Sequence, residues 1–191
     1  MDECPEIIDS FDQKMSPLFK EQGYKGHYSN ELRITKEGKA YGIDLTIRAP
    51  SPPYASMMEM YEDYPGMVWQ IANGEMPDCT PKKDAVVCAE VILVSEWHKD
   101  YEMCVEFPKE IEPHVKLRNQ KKDGDVYYVI PNKNDGFFGS AFAYGTKIDS
   151  VIEEAIDLIK QIKCVDKDFH KSIFDEAKEQ IEAGRKFGID F

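Results

Sequence analysis

The stretch from Lys25 to Arg48 reads KGHYSNELRITKEGKAYGIDLTIR. Two runs of alternating apolar and polar residues flank Lys36-Glu37-Gly38-Lys39, whose glycine suits a turn position with positive φ. This is the signature of a β-hairpin. With Glu37 and Gly38 as a two-residue loop, Lys36 faces Lys39, Thr35 faces Ala40, and Ile34 meets Tyr41. Leu32 then meets Ile43, and Glu31 stands opposite Asp44. Side chains alternate along a strand, so Leu32, Ile34, Tyr41, Ile43, Leu45 and Ile47 are expected to share a buried face. Ser29, Glu31, Arg33, Asp44, Thr46 and Arg48 fall on the other.

Two carboxylates directly opposed on antiparallel strands have Cβ atoms about 4.5–5.5 Å apart and repel. Something must offset that repulsion. A hard divalent cation is one solution, since Mg²⁺ is held by one or two carboxylates together with substrate phosphates. Neutralisation by Arg33, Arg48 and Lys39 on a solvated face is the other, and such a network contributes little energetically. A register slip of one residue would separate the two acids altogether.

Outward from the hairpin, Pro5 to Gln22 carries a helical stripe (Ile7, Ile8, Phe11, Met15, Leu18, Phe19), with Gly23 placed to end it and Pro17 expected to kink or split it. After the hairpin, Pro50, Pro52 and Pro53 predict a stiff loop. A helical pattern runs from Tyr54 to Ala72, broken at Pro65-Gly66, and its methionines Met57, Met58 and Met60 read as packing residues. The turn-rich segment Glu75 to Asp84 marks the expected boundary between domains 1–78 and 79–191. Beyond it, strands are expected over 85–95, 102–107, 114–119, 126–130 and 136–144, with Lys121-Lys122-Asp123-Gly124 as a hairpin turn. A helix capped by the box Ser150-Val151-Ile152-Glu153 should bury Val151, Ile152, Ala155, Ile156, Leu158, Ile159 and Ile162. A last helix is expected from Lys167 to Ala183, ending at Gly184. Elements segregated in this way predict an α+β fold.

The chain has 191 residues, 42% apolar and 12% aromatic, enough to bury a core. Its net charge of −12 argues against a nucleic-acid partner, which needs clustered Lys and Arg. Five scattered cysteines without a Cys-x-x-Cys, and an N-terminus opening Met-Asp-Glu rather than with a signal peptide, lead us to expect reduced thiols and a cytoplasmic location. No apolar run reaches bilayer length, so no membrane partner is expected. Cys88 and Cys104 read as core filler, and the four histidines are too dispersed for a zinc site. There is no phosphate-loop or dinucleotide fingerprint. Asp135-Gly136-Phe137-Phe138-Gly139 reads as a turn into a strand more readily than as a phosphate cradle. Lys116 and Arg118 share a strand face with His114, a pattern that fits either an anion site or an ordinary exposed basic face.

Glu31 on one strand, with Asp44-x-Thr46-x-Arg48 on the next, resembles the closing segment of an ATP-grasp domain. Gly136-Phe137-Phe138-Gly139-Ser140-Ala141-Phe142-Ala143-Tyr144-Gly145-Thr146-Lys147, running into the helix from Ser150, is similar to the C-terminal domain of the glycinamide ribonucleotide synthetase family. Nearly the whole chain thus resembles the last part of an ATP-grasp carboxylate–amine ligase. The resemblance implies the end of a grasp domain (helix, hairpin, helices) followed by a small antiparallel sheet packed with C-terminal helices. It implies that Glu31 and Asp44 are magnesium ligands, that Thr46 replaces the family's asparagine, and that Arg48 contacts the phosphates or the acyl phosphate as a catalytic residue. Mg²⁺ and ATP are the implied cofactors. Asp at 44 and Thr at 46 depart from the commoner Glu and Asn, and Ser51-Pro52-Pro53 lacks the family's carboxylates. The clamping lysines of such enzymes are not expected in this chain. The expectation is therefore a portion inactive alone, partnered by an N-terminal ATP-grasp polypeptide or by a second copy of itself. The alternative is a non-catalytic binding or oligomerisation module with a vestigial site.

Overall fold

The structure, a computed structural model, describes residues 5–51, 54–131, 133–170 and 172–189. Cys4 and the prolines at 52 and 53 lie outside the described residues. The chain forms two compact units, one of residues 1–50, 65–78 and 172–191, the other of residues 51–64 and 79–171.

In the first unit, α1 (Glu6–Glu21) follows Pro5 and contains Pro17 without being split. It ends as its sequence demands. Gly23 takes φ +62°, Gly23 N–H donates to Lys20 and Tyr24 N–H to Phe19, which satisfies two otherwise orphaned carbonyls. The hairpin follows as β1 (Ser29–Ile34) and β2 (Ala40–Thr46). The break in the next helical run falls ahead of Pro65-Gly66, between α2 (Tyr54–Met60), which belongs to the second unit, and α3 (Tyr64–Asn73). Pro65 lies in the first turn of α3, where its missing N–H costs nothing. Gly74, at φ +76°, ends it. The last helix, α5 (Ile173–Arg185), also belongs to this unit and starts later than expected. Residues 167 and 168 instead form a short strand, so Lys167 to His170 is not helical.

The second unit holds a four-stranded antiparallel sheet in the order β5 (Val115–Leu117), β8 (Phe137–Gly145), β3 (Val87–Ser95), β9 (Lys167–Asp168). A three-stranded sheet has the order β4 (Met103–Val105), β7 (Val126–Val129), β6 (Gln120–Asp123). Lys121 to Asp123 is therefore strand, and the turn falls on Gly124-Asp125, with Gly124 at φ +61°. Helix α4 (Ile148–Gln161) begins two residues before the expected cap, so Ser150 lies inside it and no side chain caps its start. Its stripe Val151, Ile152, Ala155, Leu158 and Ile159 is buried as the periodicity requires, with Ile162 just past its end. Strand β8 is buried at every position from 138 to 143, on both faces, which is why small residues (Gly139, Ser140, Ala141, Ala143) alternate with Phe138 and Phe142.

The core lies in this second unit. Among the described residues, the buried apolar side chains belong to it except for Met67 and Ile189. Neither α1 nor α5 buries a single residue. No helix among the described residues is long and apolar enough to cross a membrane.

Candidate functional site

The hairpin brings Glu31 and Asp44 together as cross-strand partners, with Ser29 opposite Thr46 two pairs further on. The pairing arises from two departures that cancel. The loop has three residues, Lys36, Glu37 and Gly38, closed by Thr35 N–H to the Lys39 carbonyl (3.0 Å) and by Gly38 N–H to that of Thr35 (2.9 Å), with Gly38 at φ +80°. That shifts Ile34 onto Ala40 and Arg33 onto Tyr41. A bulge between Glu31 and Leu32, where Leu32 pairs with Gly42 and Ile43 is the extra residue, then restores the expected register beyond it.

An added Cβ on Gly42 would overlap the ring of Phe11, so α1 lies directly on this strand. Asn30 donates to Asp12 of α1 on the same side, and burial raises the Asp12 carboxyl above its ordinary range against that hydrogen bond. Glu31 and Asp44 therefore face away from α1, and both are exposed. The apolar face expected to be buried is covered only in part. Leu32 and Ile34 are half-buried, but Tyr41, Ile43, Leu45 and Ile47 are exposed, Ile47 to 68%. Alternation identifies an apolar face; it does not supply a covering layer.

Glu31 pairs with Arg33 at 2.6 Å, both side chains well exposed. Asp44 has no ion pair among the described residues. The Thr46 and Ser29 hydroxyls share a 2.6 Å hydrogen bond, and the Arg48 Nη1 donates to the Ala49 carbonyl at 3.0 Å. Two carboxylates and a hydroxyl on one face form an all-oxygen donor set of the kind Mg²⁺ takes with phosphates. No group of three or more His, Cys, Asp or Glu side chains suited to a metal occurs among the described residues.

Of the weaker motifs, Gly136 (φ +63°) makes a close turn in which any Cβ would overlap the Ser95 carbonyl, and Asp135 accepts from Phe137 N–H at 2.9 Å. That is turn chemistry. The Cys88 and Cys164 thiols are pushed up to about 11 by burial, which makes them poor nucleophiles near neutrality. Lys116 and Arg118 do converge on a cleft in the second unit, joined by Glu90, Phe137 and Ser140. Sequence reasoning missed these last three as site residues, because strand alternation alone does not show which side chains meet across a sheet.

No family profile matches the sequence, and no curated protein matches it. The fold, however, is that of a part of solved ATP-grasp ligases. A phosphoribosylamine–glycine ligase from Thermotoga maritima superposes with a TM-score of 0.69 at 15% identity, over 87% of this chain and 43% of that one. N5-carboxyaminoimidazole ribonucleotide synthetase from the same organism gives 0.54 at 12% identity, covering 86% and 44%. The biotin carboxylase domain of a single-chain bacterial carboxylase gives 0.54 at 13% identity, covering 92% and 45%. This chain therefore spans less than half the length of each.

Proposed function

We propose that this chain is the C-terminal portion of an ATP-dependent carboxylate–amine ligase. The observation that carries the reading is the Glu31–Asp44 pair, two acids held opposite each other on the exposed face of a hairpin. Such an arrangement is destabilising unless a cation sits there. Glu31 and Asp44 would hold Mg²⁺, and Thr46 would present a hydroxyl to the nucleotide. Arg48, released from the Ala49 carbonyl, would reach the phosphates. Bound Mg²⁺ supplies neutralisation of the charge on the transferring phosphoryl group. What these residues do is orient the triphosphate by fixed charges on a rigid strand pair.

The first unit also has the character of an incomplete domain. It exposes Tyr41, Ile43, Leu45 and Ile47 on its hairpin, and Trp69 to 71%, while burying almost nothing. Large exposed apolar side chains of this kind mark surfaces that another polypeptide covers. The rest of the grasp, with the lysines that clamp the nucleotide, is the partner this surface calls for. These residues by themselves are not expected to turn ATP over.

Calorimetry with Mg²⁺ and ATP tests the reading on wild type and Asp44→Ala. Heat in the wild type that the variant loses is the expected result. No heat in either discards the nucleotide site. One observation favours a second reading: Glu31 is already paired with Arg33. A non-catalytic module with a vestigial site would give that silent result and would still associate through its apolar hairpin.

A further inference from the structure

The second unit contains a cleft of about 140 Å³ lined by Ser51, Glu90, Lys116, Arg118, Phe137 and Ser140, with α2 forming one wall through Tyr54 and Ala55. It is smaller than the ~300 Å³ at which pockets enclose drug-sized ligands, so it suits one functional group rather than a nucleotide. Its floor is the sheet. Lys116 on β5 pairs with Ser140 on β8, whose side chain is buried, and Glu90 on β3 pairs with Phe142 two residues along.

The charges are arranged unevenly. Glu59 accepts from Lys116 at 2.6 Å and from Lys82 at 3.3 Å, so two lysines share one carboxylate, and the pair holds that carboxyl below its usual range despite partial burial. Glu90 is tethered by the Ser56 N–H at 2.9 Å. Arg118 is different. Its guanidinium carbon lies 3.6 Å from the Phe137 ring centroid, and its Nη2 reaches the Ser51 hydroxyl at 3.4 Å. It has no ion pair among the described residues. Two cations, Lys116 and Arg118, thus line the cleft beside one acid, Glu90, on a chain whose net charge is −12. Stacking holds the planar fork in one orientation and leaves most of its N–H donors open, and this is the geometry that grips an oxyanion in two places.

We propose that Arg118, supported by Ser51 and Lys116, forms a subsite for a small oxyanion, either a carboxylate or a phosphate group carried by a larger substrate. The assignment of that group to a ligase substrate rests on the function proposed above. Oxyanion binding itself does not, and it is measured without nucleotide or magnesium. Glu90 distinguishes the two sources, because its charge opposes a dianionic phosphate more than a singly charged carboxylate.

The test is titration of the ¹⁵N-labelled full chain with acetate and, separately, with inorganic phosphate, read from the amide signals of Leu117, Arg118 and Phe137. Saturable shifts with at least one anion are expected, weakened about tenfold or more in Arg118→Ala. Arg118→Lys keeps the charge without the fork and should bind between the two. Lys160→Ala, which removes an exposed cation paired with Asp157, should bind as wild type does. Glu90→Gln should favour phosphate over acetate relative to wild type. Unsaturable shifts with both anions, or equal binding by Arg118→Ala and wild type, overturn the proposal. Saturable anion binding in a chain that shows no heat with Mg²⁺ and ATP would retain this subsite while discarding the nucleotide site.

Discussion

Glu31 and Asp44 are cross-strand partners that share one exposed face of the β1–β2 hairpin, with Arg33 drawn to Glu31 and no ion pair at Asp44 among the described residues. An uncompensated acid opposite another acid weakens the hairpin it sits on. Asp44→Asn is therefore expected to raise the stability of the metal-free chain by about 0.2–1 kcal/mol. Urea denaturation without divalent ions measures this. A loss of stability would mean that Asp44 has a structural role instead.

Phe11 covers Gly42, and no side chain fits between them. Gly42→Ala must displace the ring or the strand, an overpacking cost of about 1–3 kcal/mol. The bulge should shift with it. Chemical shifts of Leu32 and Ile43 report the register, and an unperturbed hairpin in the variant would contradict the packing described.

The central pairing was legible in the sequence, though the path to it was not. Alternation and the glycine of Lys36-Glu37-Gly38-Lys39 pointed to a hairpin. The three-residue loop and the bulge then offset each other, so Glu31 met Asp44 although Ile34 did not meet Tyr41. Beside the bulge, Gly42 lies against Phe11 of α1, a tertiary contact that no local pattern encodes. Distance in sequence also explains the short strand at 167–168, which pairs with Ser95 and Val94 of β3. Serine at 150 and glutamate at 153 matched a capping box, yet the chain entered its helix earlier, at Ile148. Strand β8 was readable because burial on both faces leaves an unambiguous composition, and α4 because its apolar stripe repeats at helical spacing. Arg118 and Lys116 were visible as a basic pair, whereas Glu90 joins them only through the β3–β8–β5 order.

The uneven distribution of the core predicts uneven protection. Amides of β3, β8 and α4 surround fully buried side chains such as Leu93, Phe138 and Ile159. Those of α1, α5 and the β1–β2 hairpin do not. Hydrogen exchange followed by mass spectrometry should show the first set protected for far longer, the second opening at low free energy. Uniform protection would contradict the view that the first unit awaits a covering layer.

His98 is 1% exposed, edge-on to Phe138, with its Nδ1 lacking any hydrogen-bond partner among the described residues. Burial lowers its pKa, against a smaller opposing pull from Asp135. The unfolded chain therefore binds a proton more readily than the folded one. Stability from this group is complete above the unfolded value, about 6.5, and falls as pH drops below it, by about 1.4 kcal/mol per pH unit until the folded-state pKa is reached. Thermal melts at pH 5 and pH 8 should differ less for His98→Leu than for wild type. An equal difference would show that carboxylates elsewhere govern the acid limb.

The most direct test of the magnesium–nucleotide assignment is paramagnetic relaxation by Mn²⁺ in the presence of ATP, read on the ¹⁵N-labelled chain. Mn²⁺ takes the same oxygen ligands as Mg²⁺ and broadens only nearby signals. The account predicts that the amides of Asn30, Glu31, Asp44 and Leu45 broaden first, and that Asp44→Asn abolishes the effect. Broadening that spares these four residues, or that persists unchanged in Asp44→Asn, would contradict it.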